Sequence, residues 1–208
     1  MRILFRPLRL VKLGIFAALL SGCVSLADIN AGFQRIDRQW QLEYQKTEDA
    51  YRYRVVEAPY SVVFEQVKKS FLDLSMPTQL DNISKGVIVA ENAAPHPLTK
   101  DEWKAVVKEE NPRIKELGGW MFRMEDDAKD YIVTVAATLV PVGETTVIRL
   151  DYKLDNPKYR SMGIIPSEHA PPLAVQLGSA KFWAALQHRL NSVSLPTPRR
   201  RGADEQMV

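Results

Sequence analysis

The chain has 208 residues, 46% of them hydrophobic and 25% charged, enough for one domain that holds itself together by apolar burial. Its formal charge of +3 is concentrated at one end: Arg2, Arg6, Arg9 and Lys12 stand before residue 23 with no acid among them, and without those four charges the remainder carries −1. That excludes a nucleic-acid partner inferred from a basic whole-chain balance, and the single cysteine, Cys23, excludes an intrachain disulfide.

In chain order, the basic segment runs into Leu13-Gly-Ile-Phe-Ala-Ala-Leu-Leu20, an apolar run too short to span a bilayer as a folded helix. The small residues Ser21 and Gly22 follow, which completes the pattern of a secretory signal over 1–22. Leu20-Ser21-Gly22-Cys23 resembles the lipobox of bacterial lipoproteins. The resemblance implies that the Cys23 thiol carries a diacylglyceryl group, that the chain is cut before it and that the new amine is acylated. Two or more acyl chains give stable attachment, and no later apolar run is long enough to span a membrane. Val24 and Ser25 follow Cys23, where Asp would retain an enteric-type lipoprotein at the inner membrane. The resemblance therefore implies the outer membrane, with the chain facing the periplasm and surface exposure left open.

From Asp28, a candidate N-cap, to about Lys46, the residues Ile29, Phe33, Ile36, Trp40 and Tyr44 draw one helical stripe. Such a stripe fits a helix packed on its own domain or one offered to a partner or the lipid interface; the expected division is a lipidated helical tether over 23–50 and a domain over 51–193. Tyr51 to Val56 alternates as a strand, and Tyr60, Val63, Phe64, Val67, Phe71 and Leu74 mark a helix after Pro59. Thr78–Asp81 and Gly86–Glu91 read as a strand pair. Thr99-Lys-Asp-Glu102 is a capping box opening a helix with Trp103, Val106 and Val107 inward, which Pro112 bends or stops and Gly118-Gly119 closes. Its many Lys, Glu and Arg residues read as a solvated face.

Three strands are then expected: Trp120–Met124, Tyr131–Val140 and Thr145–Leu154, the last two joined by the turn Pro141–Glu144. Tyr131, Val133, Val135, Ala137 and Leu139, and Thr146, Ile148, Leu150, Tyr152 and Leu154, take the buried face. Residues 155–172 read as a long irregular segment, and a last helix starts near Leu173 with Leu177, Ala180, Trp183, Leu186 and Leu190 inward. The Pro- and Arg-rich tail over 194–208 is expected to be disordered.

The assembled order is α+β: an antiparallel sheet with helices on one face, closed by a long C-terminal helix. It resembles helix-grip domains, and Val55-Val-Glu-Ala-Pro-Tyr-Ser-Val-Val-Phe64 is similar to domain openings in small envelope lipoproteins, including the BamC-type accessory lipoproteins of the outer-membrane barrel-assembly machinery. The charged 99–117 segment departs from that pattern, and no functional residues carry over.

His96, His169 and His188 share no metal-ligand spacing, no serine stands in a nucleophile elbow, and Glu125-Asp126-Asp127-Ala-Lys-Asp130 falls between strands where Asp serves turns. No metal, catalytic residue or cofactor is expected beyond the lipid on Cys23. The 155–172 segment is longer than a connector requires, and its apolar Met162, Ile164 and Ile165 read as exposed contacts for a partner or ligand. The expected function is a non-catalytic accessory or scaffold lipoprotein of the bacterial envelope, membrane-anchored and working through a protein partner. The alternative is a periplasmic carrier or sensor holding an apolar ligand between the C-terminal helix and the sheet.

Overall fold

The computed structural model describes residues 25–165, 167 and 169–193. The lipobox with Cys23, the signal over 1–22, the tail over 194–208 and Pro166 lie outside them.

The longest strands, β4 (Ile132–Val142) and β5 (Thr145–Asp155), meet at the two-residue turn Gly143-Glu144. Val133, Val135, Ala137 and Leu139 are buried along β4, and Thr146, Ile148 and Leu150 along β5, while the residues between them are half-exposed. The register sets Val135 opposite Tyr152, Ala137 opposite Leu150 and Leu139 opposite Ile148, so alternation on each strand becomes one continuous apolar face. β3 (Val87–Ala93) extends that face with Ile88 and Ala90, opposite Ala137 and Val135. β1 (Tyr53–Val56) and β2 (Thr78–Asn82) form the edges, giving the order β1-β5-β4-β3-β2 with every neighbour antiparallel.

Helices cover the apolar face: α1 (Leu26–Tyr51), α2 (Tyr60–Asp73), α3 (Lys100–Gly118) and α5 (Pro172–Ser192), with the short α4 (Pro157–Ser161) between β5 and α5. The architecture is thus the expected α+β arrangement with a C-terminal helix. On α2 the stripe Val63, Phe64, Val67 and Phe71 is buried, and the Phe71 ring meets Phe182 of α5 at 4.9 Å. On α5 Leu186 is buried and Leu177, Trp183 and Leu190 pack partly buried against the core as expected, whereas Ala180 is exposed and Val175, Ser179 and Phe182 are buried in addition. Gly178 stands where this helix meets the sheet. A β-carbon there would lie 3.2 Å from Tyr152, so the small Gly178-Ser179 step lets the helix close on the sheet at that point.

Two further expectations are corrected. Pro112 does not stop α3, which runs on to Gly118 and ends at Gly119, whose φ of 106° only glycine adopts readily. Trp103 and Val107 before the proline and Ile114 after it are buried on one face, so packing holds the helix together across the missing hydrogen bond. Trp120–Met124 is not a strand. Asn111 takes both backbone groups of Met124, accepting from its N–H at 2.7 Å and donating to its carbonyl at 3.1 Å, and no sheet partner is left for that stretch.

The cap of α1 is Ser25 rather than Asp28. The Ser25 hydroxyl accepts from the Asp28 N–H at 3.1 Å and the Asp28 carboxylate accepts from the Ser25 N–H at 3.1 Å, a reciprocal capping box. Ile36, Trp40 and Tyr44 are buried in the domain core, and Arg113 of α3 clasps Glu43 through two guanidinium nitrogens. The stripe of α1 therefore packs on its own domain from Ile36 onward; Ile29 and Phe33, nearer Cys23, are only partly buried. Among the described residues no helix is long and apolar enough to cross a membrane.

Candidate functional site

The site begins with two glycines. A β-carbon on Gly32 of α1 would stand 2.3 Å from the Phe122 ring, and one on Gly118 of α3 would stand 2.6 Å from it. Their absence makes the slot into which Phe122 folds, edge-on to Phe33 at 5.1 Å. Phe33 in turn meets the Tyr159 ring of α4 at 5.8 Å. Behind these rings a cavity of about 190 Å³ is left between the start of α1, the end of α3, residues 121–124 and the segment after β5. Ile29, Phe33, Met121, Leu154, Tyr159 and Ile164 supply apolar wall, and Arg123, Asn156 and His169 are among its polar lining groups.

The segment expected to be irregular over 155–172 contains α4, started by Asn156, whose side chain accepts from the Lys158 N–H at 3.1 Å. Gly163, at φ 74°, then turns the chain back. Ile164 donates to the Tyr159 carbonyl at 3.1 Å, and Ile165 donates to the Asn30 side chain of α1 at 3.0 Å. This corrects the expected exposure of Ile164: the reversal tucks it into the cavity wall at 9% exposure, while Met162 at 60% and Ile165 at 55% remain outside. Ile164 is thus in the cavity wall, and Met162 and Ile165 are exposed on the stretch that lies beside Leu26 and Asn30 of α1. Cys23 lies outside the described residues, close before that same end in sequence.

Asp37, Ser167 and His169 come together here from distant parts of the chain. His169 Nδ1 lies 3.0 Å from Asp37 Oδ1, the His169 N–H donates to the same oxygen at 3.0 Å, and the Ser167 hydroxyl bonds to Asp37. Burial pushes the Asp37 carboxyl up, but the hydrogen bonds from Ser167 and His169 outweigh it and hold the group below the usual carboxylate value. The same three residue types serve nucleophilic catalysis, yet the connections differ. Catalysis requires the serine to donate to an imidazole nitrogen, whereas the Ser167 proton goes to Asp37 or, at 2.8 Å, to the His169 carbonyl. The trio is a clamp that ties Ser167 and His169 to α1.

Behind the cavity lies a carboxyl group that the sequence reading passed over. Glu110 is 1% exposed; it accepts from Trp40 Nε1 at 3.2 Å and faces the Leu173 N–H, at the start of α5, at 3.5 Å. Burial raises its carboxyl above the usual value more than these two bonds lower it. The dense charge of α3 hid it, but Trp103, Val107, Glu110 and Ile114 follow one helical stripe, and that phase was the available signal. Asp37 had no comparable signal, because its partners Ser167 and His169 lie some 130 positions away, whereas Asn156 ahead of Pro157 is itself the local signal of a capped helix start.

The remaining sequence candidates do not join the site. His188 is exposed on α5, and His96 lies in the loop before α3, against a gap of about 20 Å³ at Val133, Tyr152 and Val175. Val175, Phe182 and Leu186 of α5 are buried on the side that faces this gap and the sheet core. Asp127 accepts from the Lys129 N–H at 3.2 Å in a local turn, and Glu125, Asp127 and Asp130 share a hollow with Lys129 and Lys158. Among the described residues no group of three or more His, Cys, Asp or Glu is placed to hold a metal ion. No protein-family model matches the chain, and no curated protein matches it.

Proposed function

We propose that the chain is a bacterial envelope lipoprotein, held in the outer membrane by the lipid on Cys23 and facing the periplasm, that acts without catalysis as an accessory or scaffold protein. The observation that carries the contact role is the apolar cavity at the membrane-proximal end of α1, built from Ile29, Phe33, Tyr159 and Ile164. At about 190 Å³ it is smaller than the roughly 300–1,000 Å³ of pockets that enclose whole small ligands, and it suits one apolar side chain of a protein partner. Ligand carriage is the second reading. The gap of about 20 Å³ beside α5 and the sheet is too small for an apolar ligand, so this reading too rests on the cavity at α1.

Two measurements test the proposal. Metabolic labelling with a palmitate analogue should mark the wild type and not Cys23→Ala; an unlabelled wild type refutes the anchor. Pull-down from detergent-solubilised membranes should recover an envelope protein with the wild type and lose it with Ile29→Gln, which places an amide in the partly buried cavity wall. Equal recovery with both refutes the cavity as the contact.

A further inference from the structure

The start of α1 is crowded with apolar surface that the domain does not bury. Leu26 is 48% exposed, Trp120 84%, Met121 39%, Met162 60% and Ile165 55%. Among the described residues these are five of the twelve large hydrophobics left exposed, and they come from three separated stretches of chain. Specific contacts bring them together. The nearest side chain to a β-carbon built on Gly163 is Leu26, at 3.6 Å, and Ile165 is bonded to Asn30, so residues 162–165 lie along the first turns of α1. On the other bank, Phe122 is seated on Gly32 and Arg35 donates to the Leu117 carbonyl at 2.7 Å, which fixes the stretch holding Trp120 and Met121 against the same turns. The cavity opens between the two banks, with Met121 in its wall.

Chain length decides what covers this face. Ser25, the first described residue, stands two positions after Cys23, and two residues reach at most about 7 Å when fully extended. An acylated Cys23 therefore brings the start of α1 to the headgroups, with no linker to let the domain stand away. We infer that Leu26, Trp120, Met121, Met162 and Ile165 form a membrane-docking face that seats in the headgroup layer of the phospholipid surface to which Cys23 tethers the chain. This rests on the lipoprotein reading above and adds an orientation to it: the cavity mouth faces the bilayer, and a partner side chain entering it does so at headgroup depth.

Residue chemistry agrees. Tryptophan is the side chain most favoured at a membrane–water boundary, and Met, Leu and Ile supply area that enters the upper acyl region. The nearby charges are mixed and interleaved: Arg123 lies 3.2 Å from Glu125, and Lys129 and Lys158 share a hollow with Glu125, Asp127 and Asp130. Seating is therefore apolar and insensitive to salt and to anionic lipid, unlike that of a polybasic surface. The anchor keeps the face at high local concentration, so a patch too small to bind alone is occupied once tethered.

The test uses the lipidated protein reconstituted into phosphatidylethanolamine–phosphatidylglycerol vesicles whose lipids carry bromine near the top of the acyl chains, with Trp emission as the readout. Of the four Trp residues, Trp40 and Trp103 are buried in the domain and Trp183 is partly buried, while Trp120 is open. Wild type should lose the share of emission carried by one Trp of four, Trp120→Phe should lose none, and high salt should change neither. Met162→Ser with Ile165→Ser, both on exposed positions, should weaken the quenching. Equal quenching of wild type and Trp120→Phe overturns the inference. So does a Trp120 that stays open to a water-borne quencher in these vesicles, which hold no other protein, the result expected if a protein rather than lipid covers the face. A chain that incorporates the palmitate analogue yet shows no bromine quenching refutes docking and leaves the anchor standing; a chain that incorporates none removes the premise of both.

Discussion

Glu110 offers the sharpest physical test of the interior, because its charge and its hydrogen bonds pull in opposite directions. Its carboxyl holds Trp40 Nε1–H at 3.2 Å and faces the Leu173 N–H at 3.5 Å, so removing the acceptor strands a buried indole donor. Glu110→Ala should therefore cost about 1–3 kcal/mol, the penalty of one unsatisfied buried donor. Glu110→Gln keeps an acceptor for Trp40 and loses only the weaker, longer contact to Leu173. The charge acts through pH. Burial raises the folded-state carboxyl above its ordinary value of 4.5, so the folded protein retains a proton that the unfolded chain has released. Stability then falls as pH rises from about 4.5 through the raised folded-state value, at about 1.4 kcal/mol for each pKa unit of elevation. Glu110→Gln has no such loss. Urea midpoints near pH 4 should be similar for the two proteins or slightly lower for the Gln variant, and by pH 7 the variant should be the more stable. A difference that stays flat across that range, or moves toward the wild type as pH rises, would refute the claim that this carboxyl is held against its own solvation.

Asp37 should give the opposite sign: its carboxyl is held below the usual 3.8 by Ser167 and His169, so it stabilises the fold at higher pH and that contribution is lost as pH falls below 3.8. Asp37→Asn should flatten the acid limb of a stability–pH curve, and an unchanged limb would count against the clamp. Leu150→Ala, at a fully buried site, should cost about 2–5 kcal/mol, whereas Arg149→Ala on the open face, where Arg149 pairs with Asp151 at 3.0 Å, should cost at most about 1 kcal/mol; the reverse order in denaturant would invert the two faces of the sheet. Gly32→Ala should destabilise by about 1–3 kcal/mol through overpacking against Phe122, read as a fall in thermal midpoint, and a neutral result would mean that the ring leaves its slot freely. Ile165→Ser should shift stability by less than about half a kcal/mol while Ile164→Ser costs more than 1 kcal/mol, because only Ile164 is buried.

The sheet was legible because each long strand writes its burial in its own sequence. Ile148 and Leu150 alternate with Val147 and Arg149, and antiparallel pairing transmits that alternation unchanged to Ala137 and Leu139. The capping box at Thr99 and Glu102 was legible for the same reason, since all of its partners lie within four residues. Trp120–Met124 carries alternating apolar residues too, yet it is no strand. Asn111, thirteen positions upstream of Met124, takes the backbone groups that a ladder would need, and no local pattern announces such a competitor. The burial of Val175 and Ser179 on α5 was hidden in a similar way: periodicity favours the largest side chains, but at Gly178 the lack of a side chain lets the helix approach Tyr152.

The same distinction explains why the candidate site was only half visible. A lipobox and an overlong segment are features of consecutive residues, so Cys23, Met162, Ile164 and Ile165 stood out, while the cavity is bounded by Phe122, seated where Gly32 and Gly118 lack side chains, and by His169, which a clamp joins to Asp37 some 130 positions earlier. Those absences also explain why the cavity persists. A void normally invites collapse, but Phe122 is locked in the glycine slot, Ile164 is held by the Tyr159 carbonyl and Ile165 by Asn30, so neither bank is free to close over Ile29 and Phe33. Evolution could have filled the space by lengthening one side chain. The proposed contact role gives that space a purpose: both banks of the apolar opening are fixed, at the end of the helix nearest the one cysteine, and an opening so held stays accessible to what the domain would contact.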